Sequence, residues 1–297
     1  MLSITEVERE TGIRPATLRM WERRYGFPQP LRDAHGGRIY PLKQVERLLM
    51  ARRLMDQGIR PGKIFSGEAK LESSTAARRD VDTEVAPEQF QPILDLLSHY
   101  RLAELHGVFQ YRLLELGLRR FVIEFLAPLS TAVGLAWGRG QLPVRCEHLY
   151  SQLAMSILHA NQATVRAAAI GAGPKVVLAT PAGEAHVLGI LMAEAILASL
   201  GAKCIQLGAG VPSFEMAAAA EESAADIVAL SFSSYFPRKN AIRLARELRV
   251  ALAPTATLWL GGNGAADIDT PTAGVQVFGA LDDIEPALLR WRAQGVS

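Results

Sequence analysis

Beyond Pro174 the chain alternates between short apolar runs and helical stretches, and this alternation restricts the fold more than any other feature. Val176-Leu178, Cys204-Leu207, Ile227-Leu230, Leu258-Leu260 and Val275-Phe278 are mostly continuous apolar runs, each too short for a helix. Strands that read this way are buried on both faces, and helical crossovers between them give a parallel sheet. The expectation over residues 174–297 is a Rossmann-like α/β doubly wound parallel sheet. Ligands of such sheets sit at the carboxyl ends of the strands. Glycines gather there: Gly208 and Gly210 after the second run, Gly261 and Gly262 after the fourth.

Upstream, the periodicity is helical. Leu94, Leu97, Leu102, Leu105, Val108, Leu113, Leu116, Phe121, Phe125, Leu129 and Val133 recur at steps of three and four. Breaks at Gly117, at Gly138 to Gly140 and at Pro143 divide this stretch. A four-helix bundle over 87–170 is expected. Residues 66–86 carry few apolar groups and no period, so they are read as a flexible linker.

The first block, residues 1–65, reads as a winged helix-turn-helix, all-α with a small wing. Thr5 to Thr11 fits a helix stopped by Gly12, and Pro15 to Arg23 a second helix with its proline in the first turn, where a missing N–H costs little. Gly36-Gly37 followed by Arg38-Ile39-Tyr40 fits a tight turn and a short strand. Leu42 to Gln57 is helical again and stops at Gly58. The second helix can turn Leu18 and Trp21 inward, leaving Arg14, Thr17, Arg19 and Arg23 for base edges and phosphates in a major groove. Arg38 and Tyr40 suit a wing that grips the DNA backbone.

Charge supports a nucleic-acid partner for this block. Residues 1–70 hold 14 Lys and Arg against 8 Asp and Glu, while the remaining 227 residues hold 18 against 22. A basic head on a mildly acidic body suggests that the head meets phosphate. No long uncharged apolar run and no signal-peptide pattern is visible, so no membrane partner and a cytoplasmic location are expected. Cys146 and Cys204 lie far apart and form no metal-ligand pattern, and Cys146 suits packing better than ligation.

One loop carries metal chemistry. After the first apolar run the sequence reads Thr180-Pro181-Ala182-Gly183-Glu184-Ala185-His186-Val187-Leu188-Gly189. A neutral imidazole at His186 can offer one nitrogen to a metal above the sheet edge. Glu184 can hold the proton on the other nitrogen and fix the tautomer. Gly189 allows close backbone approach. Ser231 and Ser233 close the third run, and with Gly261 and Gly262 they leave a slot of small and hydroxyl-bearing residues beside the sheet. In the helical stretch, Trp137 is followed after nine residues by Glu147-His148. Alone, that trio reads better as a core tryptophan with a solvated Glu-His pair.

The string TLRMWERRYGFPQPLRDAHGGRIY resembles the start of MerR-family regulators, which bind operator DNA at inverted repeats as dimers. Metal-sensing members carry cysteines after a long dimerisation helix. This chain has none there, so its effector is expected in the appended domains. The E-x-H-x-x-G loop, the serine motif and the double glycine resemble the cobalamin-binding domains of methionine synthase and the mutases. Many members have Asp at the position of Glu184 and Leu at that of Ser233. The resemblance implies that His186 replaces the dimethylbenzimidazole as lower ligand of cobalt, and that the freed tail enters the slot.

The W-x9-E-H pattern is similar to the CarH/LitR-type cobalamin photoreceptor regulators. It implies that Trp137 packs over the upper face near the adenosyl group of adenosylcobalamin, with Glu147 and His148 on the next helix. His148 is a candidate upper ligand after loss of that group. The function so implied is a light-responsive repressor, bound to operator DNA in the dark as a homo-oligomer (dimer or tetramer) and released on photolysis. It is a regulator and not an enzyme. The alternatives are a light-independent cobalamin-sensing regulator and a corrinoid methyl carrier.

Overall fold

The computed structural model describes residues 1–34, 36–56, 60–65, 87–168, 173–265, 268 and 273–294. They fall into two units, Met1–Val85 and Ala86–Ser297. The expected linker 66–86, the helix stop at Gln57 and Gly58, and the end of the bundle at Ile170 lie outside the described residues.

The first unit is built from β1 (Leu2–Ser3), α1 (Ile4–Thr11), α2 (Pro15–Tyr25), β2 (Leu31–Arg32), β3 (Arg38–Tyr40), α3 (Leu42–Asp56) and α4 (Pro61–Phe65). A capping box starts α1: Ser3 Oγ accepts the Glu6 N–H, and the Glu6 carboxylate accepts the Ser3 N–H at 2.7 Å. Gly12 ends α1 at φ 67°, a left-handed cap that costs glycine little. The strands pair antiparallel in the order β1-β3-β2, which makes the wing. Val7, Ile13, Leu18, Trp21, Tyr40, Val45 and Leu48 form the core under it.

In the second unit, α5 (Gln91–Ser98), α6 (Leu102–Arg120), a π-helical turn (Phe121–Leu126), α7 (Ala127–Gly138) and α8 (Val144–Ala168) make the bundle. Gly117 breaks α6 at φ 70° and ψ 161°, a backbone region open essentially to glycine alone. The chain therefore forms four helical rods, with the break where the sequence places it. By length and composition the run Leu102–Gly138 is apolar enough to cross a membrane, although the sequence shows no such span. Here it packs against its bundle neighbours, with Phe109, Phe121 and Phe125 in edge and tilted ring contacts.

The sheet follows: β4 (Lys175–Pro181), α9 (Leu188–Ser199), β5 (Lys203–Val211), α10 (Ser213–Glu222), β6 (Ile227–Ser231), α11 (Arg238–Ala251), β7 (Thr257–Gly261), β8 (Val275–Val277) and α12 (Ile284–Gln294). All strand pairs are parallel in the order β5-β4-β6-β7-β8. Helices α9 and α12 pack together, as do α10 and α11. Helix α9 is apolar nearly all round because it lies between the sheet and bundle helices α6 and α8. Gln162 on α8 ties this layer down, its Nε2 donating to the Leu191 carbonyl at 3.0 Å.

The strand order reverses between β4 and β6. A crevice at the carboxyl ends of these two strands is the place where open parallel sheets bind ligands. The loops leaving them carry Glu184 and His186 on one side, Ser231 and Ser233 on the other.

Candidate functional site

The loop after β4 is fixed from within. Glu184 N–H donates to the Pro181 carbonyl at 2.8 Å, closing a turn with Gly183 at φ 89°. Thr180, fully buried, donates through Oγ1 to the Glu184 carbonyl at 2.8 Å and accepts the Gly210 N–H at 3.2 Å. This brings the carboxylate of Glu184 inward, 3% exposed, into the crevice between the two loops.

Glu184 is saturated there. Its Oε1 accepts the His186 backbone N–H at 2.9 Å and the His186 Nδ1–H at 2.6 Å. Its Oε2 accepts the Ser233 N–H at 2.9 Å and the Ser233 hydroxyl at 2.7 Å. Burial pushes the carboxyl up, but the bonds from the His186 ring, the Ser233 hydroxyl and the two backbone N–H groups outweigh it and hold it at about 2. An ionised carboxylate only accepts, so Nδ1 carries the ring hydrogen, and the neutral form of the ring has its lone pair on Nε2. The His186 side chain is half exposed, with the Tyr235 ring packed against it.

This donor set fits a metal of one kind. Among the described residues no three His, Cys, Asp or Glu side chains converge to hold a bare ion. A single oriented imidazole suits a metal whose remaining positions are filled by its own macrocycle.

Beside the dyad, three glycines have no room for a side chain. A Cβ on Gly189 would stand 2.7 Å from Ser231 Oγ, so the close approach at Gly189 is to this hydroxyl. Gly262, at φ 86°, would put a Cβ 2.4 Å from the Phe232 carbonyl oxygen and 3.1 Å from Ser231 Oγ. Gly261 differs, since a Cβ there meets nothing closer than 3.9 Å. Gly264 is crowded like Gly262, since a Cβ there would stand 2.3 Å from the Ser233 carbonyl oxygen, and no sequence pattern marks it.

From the bundle, Trp137 at the end of α7 reaches this crevice. Its ring lies 6.2 Å from that of Tyr235, edge to face, and Tyr235 in turn lies 5.3 Å from the His186 ring at 31°. Tyr235 was missed by sequence reasoning: an aromatic four residues after a strand end has no spacing rule to mark it. Glu147 and His148 sit in the first turn of α8. Glu147 is half-buried, with Oε1 accepting from Ser151 Oγ at 2.9 Å and Oε2 lying 3.0 Å from His148 Nδ1. The His148 ring is largely exposed. Cys146 is buried, and burial pushes its thiol up, which favours packing over thiolate ligation.

In the head, Arg14, Arg19 and Arg23 are exposed and Thr17 is half-buried, while Leu18 and Trp21 fill the core. Arg38 is half-buried and its Nε donates to Glu22 Oε2 at 2.9 Å, which fastens the wing to α2. Tyr40 corrects the sequence reading. Its side chain is fully buried in the head core, hydroxyl included, so it packs the wing down and offers nothing to a DNA backbone. Tyr40 sits in one core cluster with Val7 of α1 and Leu18 and Trp21 of α2.

Comparison with known proteins follows the same two parts. Residues 2–64 match the MerR HTH family regulatory protein model, and residues 174–289 match the B12 binding domain. The HTH-type transcriptional repressor CarA of Myxococcus xanthus is 32% identical over 269 residues, 90% of this chain and 88% of CarA. The HTH-type transcriptional repressor CarH of the same organism is 31% identical over 268 residues, 86% of each chain. Among solved structures, the monomethylamine corrinoid protein of Methanosarcina barkeri superposes with a TM-score of 0.54 at 15% identity, over 68% of this chain and 97% of that one. At that identity the likeness speaks for the fold of bundle and sheet.

Proposed function

The chain belongs to the MerR-type transcriptional repressors that carry a B12-binding domain, and from that premise we propose that it is a repressor whose hold on operator DNA depends on adenosylcobalamin and is released by light. The observation that carries the proposal is the Glu184–His186 dyad at the strand-order switch, with Trp137 on the bundle side of the same crevice. When bound, adenosylcobalamin supplies a visible chromophore with a photolabile carbon–cobalt bond.

The chain's own residues divide the work. His186 offers Nε2 to cobalt from below, and Glu184 holds the ring so that this nitrogen faces outward. Gly189, Ser231, Ser233, Gly261 and Gly262 receive the nucleotide tail. Trp137 shields the upper face with a broad apolar surface. Glu147 would bond polar groups of the upper ligand, and His148 would take the position that ligand leaves. These bundle residues read which group stands on the upper face.

At the other end, Arg14, Thr17, Arg19, Arg23 and Arg38 meet base edges and phosphates of a repeated operator in the cytoplasm. A dimer or tetramer holds several heads on one operator, so that weak single-head binding adds up. A change of assembly then becomes a change of operator occupancy.

The test uses full-length protein loaded with adenosylcobalamin in the dark and a DNA fragment selected from a random-sequence pool. Spectra, gel-filtration volume and DNA affinity are measured before and after green light. Loss of assembly and of DNA affinity on illumination is expected. A photolysed spectrum with assembly and affinity unchanged would leave a regulator that senses cobalamin without light. Failure to take up any cobalamin would remove the proposal.

A further inference from the structure

We infer that Tyr235 is a gate over the cofactor crevice: its ring packs against both His186 and Trp137, and it must move aside for a corrinoid to load. The inference rests on the reading of His186 and Trp137 as the two sides of the cofactor site. A flat macrocycle ligated by one and covered by the other has to pass between these rings, and Tyr235 touches both.

The position of Tyr235 is held through the dyad itself. The Ser233 hydroxyl donates to Glu184 Oε2 at 2.7 Å and accepts the Tyr235 N–H at 3.3 Å. Phe236 N–H closes the turn on the Ser233 carbonyl at 3.0 Å, and the Phe236 ring packs on Phe232 at 5.3 Å. One buried carboxylate thus orients the imidazole and anchors the turn that carries the tyrosine. Residues 232–237 form a short loop between β6 and α11, so the ring can swing by rotation about its side-chain bonds while the Ser233 anchor stays.

A closed gate lowers the fraction of molecules competent to bind. The apparent affinity and the association rate fall by that fraction, while the dissociation rate of loaded protein need not change. Tyr235 is a positioning residue in this scheme and makes no bond to cobalt.

The test is stopped-flow absorbance with cofactor-free full-length protein and adenosylcobalamin in the dark. Tyr235→Ala is expected to speed association about tenfold with a smaller change in dissociation. Tyr235→Phe keeps the ring and should restore the slow rate. In the absence of cobalamin, Tyr235→Ala should shift tryptophan emission to the red, and the shift should vanish when Trp137→Phe is added. If wild-type protein loads but Tyr235→Ala associates no faster, the gate is wrong and the cobalamin site stands. If wild-type protein takes up no cobalamin, the site reading fails and the gate with it.

Discussion

Glu184 and His186 meet twice through one oxygen atom: Oε1 of the carboxylate accepts both the backbone N–H of His186, at 2.9 Å, and its ring Nδ1–H, at 2.6 Å. The ring is therefore fixed in tautomer and in rotation before any metal arrives. The other oxygen binds Ser233 on the neighbouring strand end, so the dyad also spans the point where the sheet changes direction.

Replacing Glu184 by Gln tests this arrangement. The amide cannot accept at both ends, and an orienting partner of this kind is worth about 10–100-fold in metal affinity. Cobalamin affinity measured by absorbance titration should fall by that order. The same variant has a pH signature. The carboxyl sits at about 2 in the folded chain against an ordinary 4.5, so the folded state binds its proton less readily than the unfolded state. Its contribution to stability is then complete above the ordinary value and is lost as pH falls through the window from 4.5 towards 2. Urea melts should show the gap between wild type and Glu184→Gln narrowing from about pH 5 to about pH 3. A gap that stays constant contradicts the assignment.

His186→Ala removes the only imidazole that the dyad presents. The variant should fold with a loss of about 1–3 kcal/mol, because it removes one of the four hydrogen bonds that hold the buried Glu184 carboxylate. Its cobalamin uptake should drop at least tenfold, with a spectrum lacking the nitrogen-ligated lower position. Uptake equal to wild type with the same spectrum would place the cobalt ligand elsewhere.

Gly261 and Gly262 are neighbours with different constraints. An alanine at 262 needs a positive φ and meets the Phe232 carbonyl oxygen at 2.4 Å. Gly262→Ala should cost about 1–3 kcal/mol or more of stability, and it should narrow the slot. Gly261→Ala meets only ordinary contacts at 3.9 and 4.0 Å and should fold normally. Thermal melts of the pair separate the two. Equal losses would show that the double glycine acts through something other than these contacts.

The head offers a matching contrast. Arg19 and Arg23 are exposed on α2, and alanine at either should weaken DNA binding and lower the salt dependence by about one counterion. Tyr40→Phe removes a buried hydroxyl that has no hydrogen-bond partner among the described residues. It should leave DNA affinity as it was and stability equal or higher. Filter binding across a salt series, with denaturant melts, reads both. Loss of DNA affinity in Tyr40→Phe would restore the wing tyrosine as a contact.

Much of the architecture could be read from residue order alone. Apolar runs too short for helices, set between helical stretches, specify a parallel sheet because only buried strands tolerate such composition. Gly117 marks the break in the long bundle run because its backbone conformation excludes other residues. The Glu184-x-His186 pairing was legible because two residues apart on a loop is within hydrogen-bond reach. Tyr40 was not legible in the same way. Its neighbours are basic and its type suits a phosphate contact, yet the packing of β3 over α1 sends it into the core cluster. Tyr235 and Gly264 carry no spacing signal, since their importance arises from residues 49 and more positions away or from backbone approach between loops.

The sequence by itself determined the domain types, the strand-and-helix rhythm and the residue types capable of ligating cobalt, because periodicity and short-range spacing act within one element or one loop. The tertiary structure decided which of those residues share a crevice. Ser233 reaches Glu184, and Tyr235 packs against both His186 and Trp137, only because parallel pairing of β4 with β6 sets two loops side by side and the packing of α9 on α8 brings the bundle to them. Contacts of that range depend on how whole layers pack, and no local pattern encodes them.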